Sequence, residues 1–396
     1  MSTSQTFTAQ PHGWGRLATT CVAHMAEHLY VGVITVVLPL MAASLGLSMA
    51  QAGLLVSARY LVAGASNMPS GLLADLTQRR SFLLGLCLVC IGLSSLLMSF
   101  APGFPALVVF MALGGLGAGG FHPQSLAILS SAYRDRRALA LGIHDSSGNL
   151  GEVLGPLTIG TLLTYVTWRG TLQIWAIPGL LIGVLYGFLA GEVKLERSAK
   201  SNFGRLLWEH VFTNRTVLIA FAISILRTMG QTSLLAFLPL YLSIQLKFSA
   251  GNVGAYMSIL FLFAALTPSF SGWLSDRVGR IPLIIVGLAV ATVSMGSIPT
   301  LGVGIPLAIC LGVVGTALWA VRPVIFAAAM EVAPPQVAGT LVGFLFTGNM
   351  GISAVAPLLS GLIADSYGLG HSLVFIGLFP LLACLVAFGS LIGSHR

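Results

Sequence analysis

Long apolar runs separated by short polar segments make up most of the chain. An α-helix needs roughly 20 apolar residues to cross the hydrocarbon core of a membrane, and each run reaches about that length. Several runs contain Gly and Pro, which membrane helices tolerate. The pattern predicts twelve transmembrane helices, at residues 17–42, 51–74, 81–100, 105–130, 138–165, 171–190, 216–242, 251–274, 281–300, 305–330, 338–363 and 371–393.

The composition supports this interpretation. Of the 396 residues, 56% are hydrophobic and only 8% are charged, whereas a soluble domain carries about 25% charged residues. Such a chain cannot cover a water-exposed surface with polar groups, which excludes soluble enzymes and nucleic-acid-binding proteins. All five cysteines fall inside apolar runs, so they predict neither a disulfide framework nor a metal-ligand cluster.

The basic residues predict the orientation of the helices. If the N-terminus is cytoplasmic, 14 of the 19 Lys and Arg residues lie on the cytoplasmic side, and only Arg169 and Lys247 lie opposite. Cytoplasmic loops of membrane proteins carry such an excess of positive charge. We therefore predict that both termini are cytoplasmic, in the inner (plasma) membrane of a bacterial-type cell. The three remaining arginines, Arg59, Arg227 and Arg322, fall inside predicted helices.

The longest polar stretch divides the predicted helices into two sets of six. It runs from about Glu192 to Arg215, and we expect a short amphipathic helix within it, near 203–210. The predicted organisation is an N-terminal cytoplasmic tail at 1–16, a six-helix bundle at 17–190, a cytoplasmic linker at 191–215 and a second six-helix bundle at 216–393.

The two halves repeat one another after 200 or 201 residues. The matches run in order along the chain: Pro39-Leu40 with Pro239-Leu240, Gly71 and Asp75 with Gly272 and Asp276, His122-Pro123 with Arg322-Pro323, Ser147–Gly151 with Thr347–Gly351, and Pro156 with Pro357. Because the offset preserves the direction of each helix, the halves are predicted to be parallel repeats.

The loop after the second predicted helix carries a family resemblance. Residues 71–80 read Gly-Leu-Leu-Ala-Asp-Leu-Thr-Gln-Arg-Arg, and a second copy occupies residues 272–280. Both copies resemble the signature cytoplasmic loop of the major facilitator superfamily, although Leu76 and Gln78 stand where that family prefers a basic residue and Gly. The resemblance implies an all-α membrane protein of twelve helices in two parallel repeats, with a substrate site near the membrane midplane between them.

Two further segments resemble particular branches of this family. Gly155-Pro156, among the other glycines of the fifth predicted helix, resembles a motif of proton-linked exporters in this family. The segment Phe121-His122-Pro123-Gln124 is similar to the fosmidomycin-resistance branch of efflux proteins. These similarities imply proton-coupled export.

Charged residues in the two signature loops are candidates for a conformational latch. A carboxylate there can accept hydrogen bonds from a neighbouring helix N-terminus and pair with a loop arginine. Such contacts would hold one conformation and break in the other; alternatively, the residues simply mark a solvated loop. The candidates are Asp75, Arg79, Arg80, Asp276, Arg277 and Arg280.

Ionisable residues inside the predicted helices give the strongest indication of a functional site. A charged side chain at the membrane centre costs roughly 2.5–3.5 kcal/mol, so these groups must face water or one another. The repeat aligns Glu27 with Arg227 and His122 with Arg322. In the family resembled, the four helices concerned line a central cavity. The alternative is a buried ion-pair network that only holds the halves together.

We assign the candidates to two roles. Predicted substrate-binding residues are Arg227, Arg322, His122, Arg59, Asn149 and Asn349, although Arg59 could instead extend to the membrane interface. Predicted proton-coupling residues are Glu27, Glu152, His24 and His28.

Three of these residues, His24, Glu27 and His28, share one helix face. We predict no metal there, because no further carboxylate or cysteine is evidently placed to complete a site. His144 and Asp145 are expected to pair only with Arg134, Arg136 or Arg137.

The sequence therefore predicts a secondary transporter that works by proton-coupled alternating access. Two cavity-facing arginines favour a small anionic or polar solute, and the family resemblance favours export by antiport. Uptake by proton symport, or a non-transporting receptor or scaffold, remains the alternative. The sequence contains no nucleotide-binding loop and no nucleophile motif. It therefore predicts neither an enzyme nor an ATP-driven pump. We predict no cofactor, and the proton gradient would supply the energy for transport. We assume a monomer because no segment of the sequence indicates assembly into oligomers.

Overall fold

The computed structural model describes residues 14–192, 208–334 and 337–393, and these ranges contain helices and no β-strand. The helices are α1 (Trp14–Leu45), α2 (Met49–Thr77), α3 (Arg80–Ser99), α4 (Phe104–Ala132), α5 (Arg137–Leu162), α6 (Trp168–Leu189), α7 (Arg215–Leu240), α8 (Ala250–Val278), α9 (Arg280–Ser297), α10 (Ile305–Glu331), α11 (Ala338–Gly351), α12 (Val355–Tyr367) and α13 (Leu369–Gly393). Residues 1–13 of the predicted tail and 193–207 of the predicted linker, with most of its amphipathic helix, lie outside the described residues.

Ten helical segments within the described ranges are long and apolar enough to cross a membrane. One of them combines α11 and α12, which together cover the predicted helix at 338–363. The predicted second and fifth helices form as α2 and α5 but are not among the ten. Both are long, and both carry polar side chains: α2 contains Arg59 and Asn67, and α5 contains Asp145 and Glu152.

The internal repeat is visible in the bounds of the helices. Helices α2 and α8 both have 29 residues, and they are offset by 201 residues at both ends. Helices α4 and α10 likewise begin 201 residues apart, and each contains a proline, Pro123 or Pro323, at the matching position. The repeated sequence thus builds repeated structure.

Helices pack against one another within each half, and a smaller set of helices forms the contacts between the two halves. In the N-terminal half, α3 packs on α6, α1 on α5 and α2 on α4; in the C-terminal half, α8 packs on α10 and α13 on both α9 and α7. The halves meet where α5 contacts α8 and where α2 contacts α11 and α12, with α1 against α7. A cavity therefore lies between α1, α2, α4 and α5 on one side and α7, α10 and α11 on the other.

The molecule has two distinct ends. We call the arginine-rich end the one that carries the α2–α3, α4–α5, α8–α9 and α10–α11 connections, where most of the loop arginines lie. The opposite end carries the α1–α2, α3–α4, α5–α6, α7–α8, α9–α10 and α12–α13 connections, and Asp365 lies next to the last of them.

Candidate functional site

A cavity of about 170 Å³ lies between the two halves, and most predicted site residues line it. Both halves contribute polar side chains to its wall. The predicted residues on this wall are Glu27, His28, Arg59, His122, Glu152, Arg227, Arg322 and Asn349. The structure therefore brings side chains from matching positions of the two repeats into a single cavity.

The two remaining predicted residues lie elsewhere. Asn149 does not line this cavity; it lies three residues before Glu152, towards the arginine-rich end of α5. His24 lies beneath the cavity wall. Its ring is 4.5 Å from that of His28 and stacks on His144 at 3.9 Å.

Arg227 is a buried cation that hydrogen-bonds only to neutral groups. Its side chain donates to Gln231 Oε1 at 2.7 Å, to the Leu318 carbonyl at 3.2 Å and to Thr228 Oγ1 at 3.0 Å. Among the described residues no carboxylate pairs with it, and a second cation, Arg322, lines the same cavity. A buried guanidinium without a counter-ion is costly.

Arg322 pairs across the two halves. Its Nη2 atom lies 3.7 Å from Oδ1 of Asp145 on α5. The sequence-based expectation that Asp145 pairs only with arginines of its own loop is therefore wrong. The contact between Arg322 and Asp145 depends on tertiary structure, because α5 and α10 belong to different halves and approach each other only when the bundles assemble.

Arg59 enters the cavity from α2. Its guanidinium passes beside Gly114 on α4, where a side chain would collide with Nη1. The carboxylate of Glu27 lines the same cavity. The arginine is 9% exposed, so the structure places it in the protein interior rather than at a membrane interface.

Histidines and glutamates of the N-terminal half form one connected cluster. His28 lies 3.1 Å from Glu152 through Nδ1 and 3.4 Å from Glu27 through Nε2. His24 Nδ1 bonds to the carbonyl of His144 at 2.7 Å, and His144 Nε2 bonds to Ser125 Oγ at 3.2 Å. His144 thus belongs to this cluster, contrary to the expectation that it pairs with loop arginines.

A second cavity adjoins the central one towards the arginine-rich end. This wider vestibule of about 1100 Å³ is lined there by residues including Asp75, Arg137 and Thr340. His122 and Phe346 border both the vestibule and the central cavity, and their rings are 6.2 Å apart. A solute reaching the cavity from this end must pass these two side chains.

The opposite end is closed by contacts between the halves. Both carboxylate oxygens of Asp365 accept hydrogen bonds from the first turn of α2, from Met49 N at 2.8 Å and Ala50 N at 2.9 Å. Ser57 on α2 accepts a hydrogen bond from Leu358 N at 3.2 Å. Asp365 was not among the predicted residues, because a lone acidic residue at a helix end has no distinguishing local pattern.

The candidate latch residues make contacts within their own halves. Asp75 pairs with Arg80, which is buried and also donates to Gln124 Oε1 at 3.2 Å. Arg280 pairs with Asp276 and, at 2.9 Å, with Glu331.

The other two latch candidates have different surroundings. Arg277 stacks 4.2 Å over the ring of Trp273, and Arg79 directly precedes α3. The carboxylates that cap helix N-termini are instead Asp365, on α2, and Glu192, which accepts from Ser81 N and Phe82 N at 3.0 Å.

This architecture, two repeated helical bundles around a polar cavity open at one end, defines a membrane transporter. The family model of the Major Facilitator Superfamily matches residues 20–357, and the chain belongs to that family. It is therefore a transporter of small solutes and not an enzyme.

Two curated relatives and one solved structure illustrate the similarity. The fosmidomycin resistance protein of Escherichia coli (strain K12) is 23% identical over 383 residues, covering 95% of this chain and 92% of its own. A probable 4-methylmuconolactone transporter of Cupriavidus pinatubonensis is 26% identical over 365 residues, covering 89% and 82%. A bacterial homologue of the human lysosomal transporter Spinster, solved in an inward-facing and unoccupied conformation, has a TM-score of 0.81 at 18% identity, covering 94% and 96%.

Proposed function

We propose that this protein exports a small anionic solute by proton-coupled antiport across the inner membrane of a bacterial-type cell. The single observation that supports an anionic substrate best is the buried guanidinium of Arg227, which hydrogen-bonds only to neutral groups. Arg59 and Arg322 line the same cavity. Arginine recognises carboxylates and phosphate-like groups through paired hydrogen bonds.

Alternating access would operate through the two ends described above. Loop arginines mark the cytoplasmic side of membrane proteins, so the vestibule at the arginine-rich end would open to the cytoplasm and both termini would lie there. Helices α2 and α5 would complete a set of twelve membrane-spanning segments, since the cavity accommodates their polar side chains. Opening the Asp365 end while closing the vestibule would then move a bound solute outwards.

The proton would be carried by Glu27, assisted by Glu152, His24 and His28. The side chain of Glu27 is only 5% exposed, and its Oε2 atom lies 3.4 Å from Nε2 of His28. A carboxylate beside an imidazole can pass a proton to it and receive one from it. Export as the direction rests on the resistance function named for the Escherichia coli relative.

Uptake of an anion by proton symport is the second candidate. The cavity wall carries three arginines and two glutamates, and Arg322 also pairs with Asp145, so the formal charges of these six groups sum to zero with the histidines neutral. A proton and a monoanion entering together would leave that charge unchanged, which is a specific electrostatic argument for symport.

Transport assays in proteoliposomes distinguish these functions. A panel of small carboxylates and phosphonates is added while an enclosed dye reports the internal pH. Antiport predicts that an outward gradient of the solute draws protons inwards, whereas symport predicts that solute and protons move in the same direction. Absence of solute-dependent proton movement for every compound that binds would disprove proton coupling.

A further inference from the structure

Three buried atoms of the histidine–glutamate cluster lack a hydrogen-bond partner. They are Glu27 Oε2, His28 Nε2 and His122 Nδ1, and the Glu27 residue is only 4% exposed. Buried polar atoms in proteins are almost always hydrogen-bonded. Together with a ring nitrogen of His24, one donor atom from each of these four residues lies within 4.8 Å of the others. Glu27 Oε2 and His28 Nε2 face each other at 3.4 Å, and the approach of a third ligand-type atom to this pair points to a shared ligand.

Hydrogen bonds on the far side of two rings orient their free nitrogens. The carbonyl of His144 can only accept, so Nδ1 of His24 carries the hydrogen and Nε2 keeps its lone pair. The carboxylate of Glu152 holds Nδ1 of His28 in the same way, at 3.1 Å. Metal-binding histidines characteristically donate their other N–H to a carbonyl or carboxylate. The arrangement therefore prepares two imidazoles to bind a cation.

One distance in the cluster matches that of a transition-metal site, and all four donor atoms lie within 4.8 Å of one another. Bonds of 2.0–2.2 Å in a tetrahedral site place neighbouring ligand atoms roughly 3.3 Å apart, and Glu27 Oε2 lies 3.4 Å from His28 Nε2. Imidazole nitrogens with one carboxylate suit Zn²⁺, Co²⁺ or Ni²⁺ better than Mg²⁺ or Ca²⁺. The sequence-based objection to a metal was the lack of a further ligand, and His122 on α4 supplies one.

The arginines of the same cavity determine the form in which a metal would enter. Arg59, Arg227 and Arg322 lie on the cavity wall and repel a bare dication. An anionic chelator bound to the metal removes this repulsion, because its acid groups can pair with Arg227 and Arg322 of the C-terminal half.

We propose that His24, Glu27, His28 and His122 bind a divalent first-row transition metal, and that the transported species is its complex with a small anionic chelator. This proposal rests on the proposed function and names its substrate class. The N-terminal half would hold the metal and the C-terminal half the anion.

Binding of Co²⁺ to the purified full-length protein in nanodiscs tests the metal site. We expect one Co²⁺ per chain with the visible absorption of a nitrogen- and oxygen-ligated ion. His122→Asn should weaken binding at least tenfold, and Glu152→Gln, which only orients His28, should weaken it about 10–100-fold. His371→Asn, an exposed histidine outside the cavity, is the matched control and should bind like the unaltered protein. Monodisperse gel filtration and retained helical circular dichroism exclude unfolding of a variant.

Citrate serves as the chelator probe. We expect citrate to tighten Co²⁺ binding in the unaltered protein but not in Arg227→Gln, which should still bind Co²⁺ alone. If Co²⁺ does not bind, or if the cavity variants bind it like His371→Asn, the metal site is disproved. Anion-dependent proton flux that persists in EDTA would disprove the chelate substrate while leaving the proposed function intact; loss of flux in EDTA and its recovery on adding Co²⁺ would support the chelate.

Discussion

Gly53 on α2 lies directly against the carbonyl of Pro357 on α12, and the repeat reproduces this pair as Gly254 on α8 against the carbonyl of Pro156 on α5. Both members of the second pair are offset by 201 residues from their counterparts. A Cβ at either glycine would overlap these backbone atoms. The two contacts close the end of the molecule opposite the arginine-rich end, at symmetry-related positions of the interface.

We predict that Gly53→Val and Gly254→Val each prevent this closure. The added side chain forces α2 from α12, or α8 from α5, so the distance between spin labels on the paired helices should lengthen and transport should fall at least tenfold. Gly389→Val is the control, since a Cβ there meets no atom within 4 Å. Unchanged label distances in both glycine variants would contradict a role for these contacts in closure.

Asp365→Asn is predicted to weaken the same closed end by a smaller amount. The carboxylate accepts two hydrogen bonds at the N-terminus of α2, where a negative charge contributes about 1 kcal/mol at an exposed site. The asparagine should therefore shift the equilibrium towards opening about fivefold, as measured by single-molecule distances between the helix ends. The shift should shrink at high salt, because exposed charge interactions are screened; a salt-independent shift would refute the electrostatic explanation.

Arg227→Met is predicted to stabilise the protein while abolishing binding of the anion. Replacing a buried, uncompensated charge with an apolar side chain of similar length can stabilise a protein by about 1–4 kcal/mol. The midpoint of thermal unfolding in detergent should rise by roughly 2 °C or more.

A second arginine provides the comparison. Arg169→Met removes hydrogen bonds to the carbonyls of Ser99 and Ala101 and should not raise the midpoint. A lower midpoint for Arg227→Met would show that Arg227 is primarily structural.

Glu27→Gln is predicted to uncouple transport from the proton gradient. The glutamine keeps the shape of the side chain but cannot exchange a proton, so accumulation against a solute gradient should stop while exchange of solute for solute continues. Counterflow and pH-driven flux in the same proteoliposomes separate the two activities. Glu209→Gln, at an exposed position, should leave both unchanged, and full pH-driven accumulation in Glu27→Gln would remove Glu27 from the coupling mechanism.

The sequence predicted the residues that line the cavity more reliably than it predicted the contacts between residues. Glu27, Arg227 and Arg322 stand out because a charge inside an apolar run is costly, and all three line one cavity. Asp145 was assigned to the wrong partners, since its neighbours in sequence are loop arginines whereas Arg322 is distant in the chain. Asn149 shares its motif position with Asn349, but only Asn349 lines the cavity.

The sequence alone determined the membrane environment, the helical segments and the duplication, because these follow from local apolar content and from a repeat that needs no coordinates to detect. Tertiary structure alone decided that Asp365 closes one end, that Arg322 reaches Asp145, and that His122 joins His24 and His28. Each of these depends on how separate helices are placed side by side. That placement comes from packing along the whole length of each helix, which no short stretch of sequence encodes.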